Sequence, residues 1–307
     1  MNKFFIFSLI FFLFSLLPWC IQWSFLSADT HIPYGDVSGT WTIEGSPYII
    51  DGHINVPIDS TLVIDPGVNV IFSDWYYFRV YGRLLAEGTE SDTIRFTVND
   101  TINDFASLIF IDTDISLQDS SKVRYFEIDH GYITFSNSSS AVVKNSIVTN
   151  GYGIGFDNSS PLLIDVTINN NNTENYGGGI SCTNSSNPSL LNVTIIGNSA
   201  TWGGGISCRF NSNPTLENVS IINNIAIAAG GGIFCEESSP ILNQVIILEN
   251  EGSGICCTDE SSPTLNDVTI NNNNGGVSCF NSSPIITNVV ISGNYSSESG
   301  GGIYCNY

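Results

Sequence analysis

Charge is scarce in this chain. Only 12% of its 307 residues are Asp, Glu, Lys or Arg, against about a quarter in an ordinary globular domain. Cations are scarcest: 8 Lys and Arg face 29 Asp and Glu, for a formal charge of −21, and beyond Lys144 the only cation is Arg209. That balance argues against a nucleic-acid partner or an anionic membrane surface, which clustered Lys and Arg would recognise. Histidine is limited to 3 residues, so zinc lacks its commonest nitrogen ligand. Beyond the amino end no run approaches the ~20 apolar residues of a membrane helix, and calcium-binding glycine-rich nonapeptides are missing. What is present is 42% hydrophobic residue with Asn, Ser, Thr and 29 Gly as the polar complement. Such a chain is too apolar for disorder and long enough to bury a large core.

The amino end reads as an address. Met1, Asn2 and Lys3 precede an apolar stretch from Phe4 to Trp19, as in a secretory signal peptide. Residues 1–28 are assigned to it, with cleavage placed between Ser24 and Thr30. An uncleaved anchor reaching Leu26 is the alternative. Leu17-Pro18-Trp19-Cys20 is only a faint lipoprotein box, because Trp precedes the Cys. The expected location is extracellular or at the cell surface, with membrane contact only through the amino-terminal signal or a missing carboxyl-terminal domain.

The carboxyl half repeats. Gly179-Ile180-Ser181-Cys182 returns at Gly205-Ile206-Ser207-Cys208, Gly232-Ile233-Phe234-Cys235, Gly254-Ile255-Cys256-Cys257, Gly276-Val277-Ser278-Cys279 and Gly302-Ile303-Tyr304-Cys305. Gly153-Ile154-Gly155-Phe156 and Tyr132-Ile133-Thr134-Phe135 look like earlier copies with Phe in the Cys slot. A proline follows each slot, at Pro161, Pro188, Pro214, Pro240, Pro263 and Pro284. Counting two, five and seven residues on from each gives Leu (Ile286 in the last copy), Val and Ile, and ten on gives Asn171, Asn198, Asn224, Asn250, Asn273 and Asn294.

Each copy therefore holds short runs of period-two alternation, the mark of strands with one face inward, separated by Pro- and Asn-rich turns. Three short strands in about 22 residues make one coil of a right-handed parallel β-helix, with coils ~4.8 Å apart. A leucine-rich repeat lacks its Leu-x-x-Leu-x-Leu signature here, and an antiparallel sandwich would not keep identical side chains at one phase. Stacking turns the repeated residues into ladders. Cys182, Cys208, Cys235, Cys257, Cys279 and Cys305 fall on the inward phase, and the Asn column can pass amide hydrogen bonds from coil to coil. The expected fold is all-β: a right-handed parallel β-helix solenoid. Residues 36–130 form its divergent amino-terminal cap and first coils, and 131–307 its regular repeats. A separate amino-terminal β-domain is the alternative. Gly302 to Tyr307 stops in mid-coil, which reads as a fragment or an end covered by a partner.

The Gly-Gly-Gly-Ile tetrads and the stretch from Ile195 to Ile206 resemble the β-helix repeats of the pectin-lyase-like superfamily, in particular the polymorphic outer-membrane protein (autotransporter adhesin) type. Ser46 to Val68 and Gly82 to Gly88 are similar to the start of large secreted bacterial β-helix proteins. The resemblance covers roughly residues 40–307 and implies a fold rather than an activity, since that fold hosts lyases, hydrolases, epimerases and adhesins. Relatives with this repeat often end in an autotransporter barrel or a secretion-sorting domain; neither falls within these residues.

Four constellations are candidates for chemistry. The cysteine column reads as a buried ladder of small apolar thiols, with Cys256 pointing outward as the thiol most open to reaction; disulfides are possible in an exported protein but awkward between parallel side chains. Counted back from proline, Glu237 stands beside Glu260 and Glu236 beside Asp259, a cluster that a hard cation such as Ca²⁺ could bridge and that a solvated turn explains as well. For catalysis, the resemblance points to acidic Ca²⁺ ligands with an Arg, or to paired Asp with Gly-His-Gly. The repeats offer no outward Asp pair, Arg209 is a single basic candidate, and Asp129-His130-Gly131 reads as a turn. The loops between the Asn column and the next Gly vary in length and carry Tyr176, Trp202 and Tyr295, which suit stacking on sugar rings or packing on each other. The expectation is therefore a non-catalytic surface or adhesion module with a polysaccharide or surface glycan as partner and no obligatory cofactor. A polysaccharide lyase or glycoside hydrolase is the enzyme alternative, and a purely structural stalk is the third.

Overall fold

The computed structural model describes residues 29–101, 105–111, 120–137, 141–296 and 300–306; the expected signal peptide lies outside them. Every strand of the three main sheets pairs in parallel with its counterpart one coil away, and the sheets hold 12, 12 and 11 strands. We name them by the residue each repeats inward. The isoleucine sheet includes Thr194–Ile196 and Ser220–Ile222, the cysteine sheet Ile180–Thr183 and Ile206–Arg209, and the leucine sheet Ser189–Leu191 and Thr215–Glu217. The chain is a right-handed parallel β-solenoid, as the repeat predicts. Apart from a single 3-10 turn at Ile43–Gly45, no helix occurs among the described residues.

The same sheets continue into the amino half. Tyr48–Ile50 pairs with Asn69–Phe72, Ile54–Val56 with Tyr76–Val80, and Thr61–Ile64 with Arg83–Glu87. Inside, identical phases stack: Leu163, Leu190, Leu216, Leu242 and Leu265 are buried, as are the Val and Ile columns of the same coils. Each such side chain withdrawn from water contributes about 1.5–3 kcal/mol. The cysteine column continues a phenylalanine column. Phe110 stacks on Phe135 at 4.8 Å and Phe135 on Phe156 at 5.6 Å, and Phe156 stands in register with Cys182.

The turns account for the composition. Four residues after each proline the backbone is left-handed, at Asp165, Asn192, Asn218, Gln244, Asp267 and Asn288, with φ between 53° and 55°. A second left-handed position precedes each ladder asparagine, at Asn170, Gly197, Asn223, Glu249, Asn272 and Gly293. Asn, Asp and Gly tolerate that region best. The next residue is the buried asparagine itself. Its Nδ2 donates to the Oδ1 of the asparagine one coil on (Asn171 to Asn198 2.9 Å, Asn198 to Asn224 2.9 Å, Asn224 to Asn250 3.0 Å). The same Oδ1 also accepts the backbone N–H of the preceding coil's asparagine, and Nδ2 also donates to a carbonyl one coil back, that of Val148 for Asn171 and of an isoleucine for the others, as from Asn224 to Ile195 at 3.0 Å. Buried backbone is thus satisfied without ions.

A second ladder lies at the opposite turn. The backbone N–H groups of Ser159, Ser186, Ser212 and Ser238 donate to the Oγ atoms of Ser186, Ser212, Ser238 and Ser261 at 3.0–3.1 Å. Its signal is a Ser two residues before every repeat proline, from Pro161 to Pro284. The glycine before each inward isoleucine has a steric cause. A Cβ on Gly179, Gly205, Gly232 or Gly254 would come within 2.6–2.7 Å of the Cγ2 of Ile195, Ile221, Ile247 or Ile270.

Candidate functional site

The outer face of the cysteine sheet carries the chemistry. Between the inward Ile and Cys of successive strands it presents Ser181, Ser207, Phe234, Cys256 and Ser278 in one column. One residue past each Cys it presents Thr183, Arg209, Glu236, Thr258 and Phe280. The loops entering this sheet stack as well: Ser199–Trp202 pairs in parallel with Ile225–Ala229, and single bridges join Asn172 to Ser199, Tyr176 to Trp202 and Ile225 to Glu251. The variable loops are therefore a short fourth ladder rather than separate tips.

Two of the three predicted sugar-stacking aromatics come together there. Tyr176 stacks on Trp202 with centroids 4.8 Å apart and planes 18° apart, and the Arg209 guanidinium carbon lies 3.6 Å from the Tyr176 centroid. At those separations indole and guanidinium cannot share one face of the ring, so Tyr176 is planked between them. Arg209 Nε donates to Glu236 Oε2 at 2.6 Å, with both side chains largely covered. Trp202, the outer member of this stack, is half-buried, with Tyr176 against its ring and Ala229 of the next coil paired with it. Tyr295 is 71% exposed and stands apart, beside a depression of about 570 Å³ that it lines with Phe280, Ser278 and Cys256.

The acidic cluster assembles differently from its spacing. Glu236 pairs in register with Thr258, not Asp259, and is engaged by Arg209. The cause is one extra residue between Cys257 and Ser261, so counting back from proline slips the alignment by one. Glu237, Asp259 and Glu260, all at positive φ, line an open depression with Asn211, Asn213, Ser239 and Asn281. Among the described residues no group of three or more His, Cys, Asp or Glu side chains is placed to hold a metal ion.

The cysteine column runs through the interior from Cys182 to Cys279, ending at Cys305, which is exposed; all of these thiols are free. Cys256 corrects the sequence reading. It does lie on the outer face, but its neighbours cover it to 3% exposure, and burial pushes its thiol up to about 12. Contact with the thiol one coil back, with burial added, raises Cys208, Cys235, Cys257 and Cys279 as well. The thiolate is the nucleophile, so iodoacetamide at pH 8 is expected to modify Cys305 and spare Cys256 and the interior column until the chain is denatured. Peptide mass spectrometry checks this, and equal labelling of Cys256 and Cys305 would contradict it. The linkage sign follows. The folded state holds these protons more tightly, so their contribution to stability is complete below the unfolded thiol pKa of about 8.5 and is lost as pH rises beyond it.

Asp129-His130-Gly131 is a turn between the isoleucine and cysteine sheets, with His130 at φ 55° and its Nδ1 2.9 Å from Asp129 Oδ1. A second aromatic group went unread in the sequence. Phe105 stacks on Tyr152 at 4.3 Å, Tyr132 lies 5.6 Å from Phe105, and Trp75 lies 6.2 Å from it. Its signal is the outward phase of Tyr132 in Tyr132-Ile133-Thr134-Phe135, together with aromatics just before two neighbouring strands.

Fold and site together define a parallel β-solenoid with an aromatic-bearing outer face. The chain belongs to the right-handed β-helix family, whose description, right handed beta helix region, matches residues 131–296. Residues 288–306 are similar to the Chlamydia polymorphic membrane protein repeat, which relates the chain to surface-associated β-helix proteins. No curated protein matches the chain.

Proposed function

We propose that this protein is an exported, rigid β-helix that works at the bacterial surface as an adhesion module and holds a glycan on its loop edge. The observation that carries the reading is the Trp202–Tyr176–Arg209 stack. A half-buried indole on the loop edge is held by a ring that a guanidinium fixes in turn, and an aromatic face so held is what the C–H face of a pyranose packs against. Likeness to a membrane-protein repeat supports the surface location. The low count of cations makes a protein or sugar surface a better partner than nucleic acid.

A glycan array tests it. The parent chain is expected to bind, and Trp202→Ala is expected to weaken binding at least about tenfold, roughly 1.4 kcal/mol, with an unchanged melting temperature. Release of unsaturated or reducing sugar from pectin-like polymers would replace this reading with the enzyme alternative. Full stability with no glycan bound would leave a structural stalk.

A further inference from the structure

We propose that the loop ladder holds a docking site for an extended, cationic peptide, which adds as a further strand to the open edge of Ile225–Ala229. The proposal does not rest on the glycan reading of Trp202.

The ladder stops while the coils go on. Asn172 bridges to Ser199, Ser199–Trp202 pairs with Ile225–Ala229, and Ile225 bridges to Glu251. The next two coils then cut across. Between the ladder asparagine and the glycine of the following strand they have only Glu251-Gly252-Ser253 and Asn274-Gly275, where the coil before them runs from Ile225 to Gly231. Each short cut turns on a glycine, Gly252 at φ +115° and Gly275 at φ +120°, a region that residues with a Cβ rarely enter. After Asn294 the loop lengthens again, starting with Tyr295. From the coil of Ile225 to that of Tyr295 is three coil intervals, about 14 Å at the usual strand spacing. Two places in the ladder between them hold no strand among the described residues, and there lies the depression of about 570 Å³.

The near wall of this depression is a strand edge. The Ala226 N–H donates to the Glu251 carbonyl at 2.9 Å, whereas the Ile225 N–H turns back to Asn198 at 2.8 Å. Successive residues of a strand offer their backbone groups to opposite sides, so Ala228 presents its N–H and C=O on the same side as Ala226, toward the depression that it lines. No described strand pairs with it there. An edge of this kind is a template for another chain, and main-chain pairing to it is a recurring mode of peptide recognition. The side chains leave room for one. Ala228 is small, Ile227 beside it is 81% exposed, and Ser253, Asn274 and Ser278 make a floor of short residues. Phe280 and Tyr295, both exposed, add apolar surface to the lining. Alternate side chains of an added strand would face this lining and the others solvent.

Charge selects the occupant. Glu251, at the mouth of the first short loop, is exposed, and none of the described residues lining the depression is a cation. Beyond Lys144 the only cation is Arg209, which Glu236 engages. The field over this half of the solenoid is therefore negative, and it draws in a segment rich in Lys or Arg. A second copy of this chain, itself at −21, would be repelled. The occupant is a basic segment of another protein, with apolar residues at alternate positions.

The test is fluorescence anisotropy of a capped, dye-labelled peptide of alternating valine and lysine with the full chain, at about 0.15 M salt, where exposed charges act over only ~8 Å. Two analogues of equal charge carry N-methyl groups on every lysine amide or on every valine amide. In a strand those two sets face opposite edges. One analogue is therefore expected to bind at least about tenfold more weakly than the unmethylated peptide, and the other about as well. Ala228→Pro takes the N–H from the edge and is expected to weaken the unmethylated peptide at least about tenfold. In the parent chain, bound peptide is expected to slow hydrogen exchange of the Ala228 amide. Should Ala228→Pro melt below the parent, the methylated pair decides. Docking on the strand edge is overturned if the peptide does not bind, if the two analogues bind alike, if Ala228→Pro with an unchanged melting temperature binds as the parent does, or if the Ala228 amide exchanges as fast with peptide as without.

Discussion

Asn224→Ala is expected to cost at least about 3 kcal/mol. Its Oδ1 accepts both the backbone N–H and the Nδ2 of Asn198, each at 2.9 Å, and its Nδ2 serves the Ile195 carbonyl at 3.0 Å. Truncation leaves those three groups buried without partners, at about 1–3 kcal/mol for each. Asn250 still receives the backbone N–H of residue 224 and is disturbed less. Coils exchange stability only with their neighbours in a solenoid, so the damage is expected to centre on the coils of Asn198 and Asn224. Urea unfolding measures it as a lower midpoint. A loss under about 1 kcal/mol would mean that the ladder is decoration on a stack held by its apolar core.

Gly205→Ala is expected to destabilise by about 1–3 kcal/mol, the range for overpacking a filled interior. The new methyl would stand 2.7 Å from Ile221 Cγ2 and 2.7 Å from the Gly232 carbonyl oxygen. Neither can retreat, because one is in the core and the other is backbone of the adjoining coil. Gly155→Ala is the control, for its Cβ meets nothing closer than 3.6 Å. Thermal unfolding of the two variants should therefore separate them, Gly205→Ala melting well below the parent and Gly155→Ala close to it. Equal melting temperatures would remove the steric explanation of the repeated glycine.

The repeat made the coil legible before any coordinates. Proline fixes a count, and the residues two, five, seven and ten beyond it turn out to be the inward Leu, Val and Ile and the ladder Asn. The serine ladder was equally available at two residues before each repeat proline, but its serines stand in the sequence only as part of the polar complement. The acidic cluster misled because a solenoid absorbs an extra residue at a turn without losing strand register, so Glu236 meets Thr258. The loop stack was half legible: Tyr176 and Trp202 are visible as loop aromatics, but Arg209 joins them from a strand, and no linear spacing connects the two. The second aromatic group was the least legible, for Trp75 and Phe105 lie where the sequence has no repeat to give a phase. Cys256 shows a related limit, since alternation places a residue on the outer face without revealing which loop covers it.

Few charges and many asparagines thus have one physical origin: coil is joined to coil by buried, uncharged hydrogen bonds. Native-state hydrogen exchange tests that claim most directly. The backbone amides of Asn171, Asn198, Asn224 and Asn250, each bonded to a side-chain oxygen of the next coil, should be among the slowest in the molecule and exchange only when the stack opens. Exchange of these four as fast as that of amides in exposed loops would contradict the account.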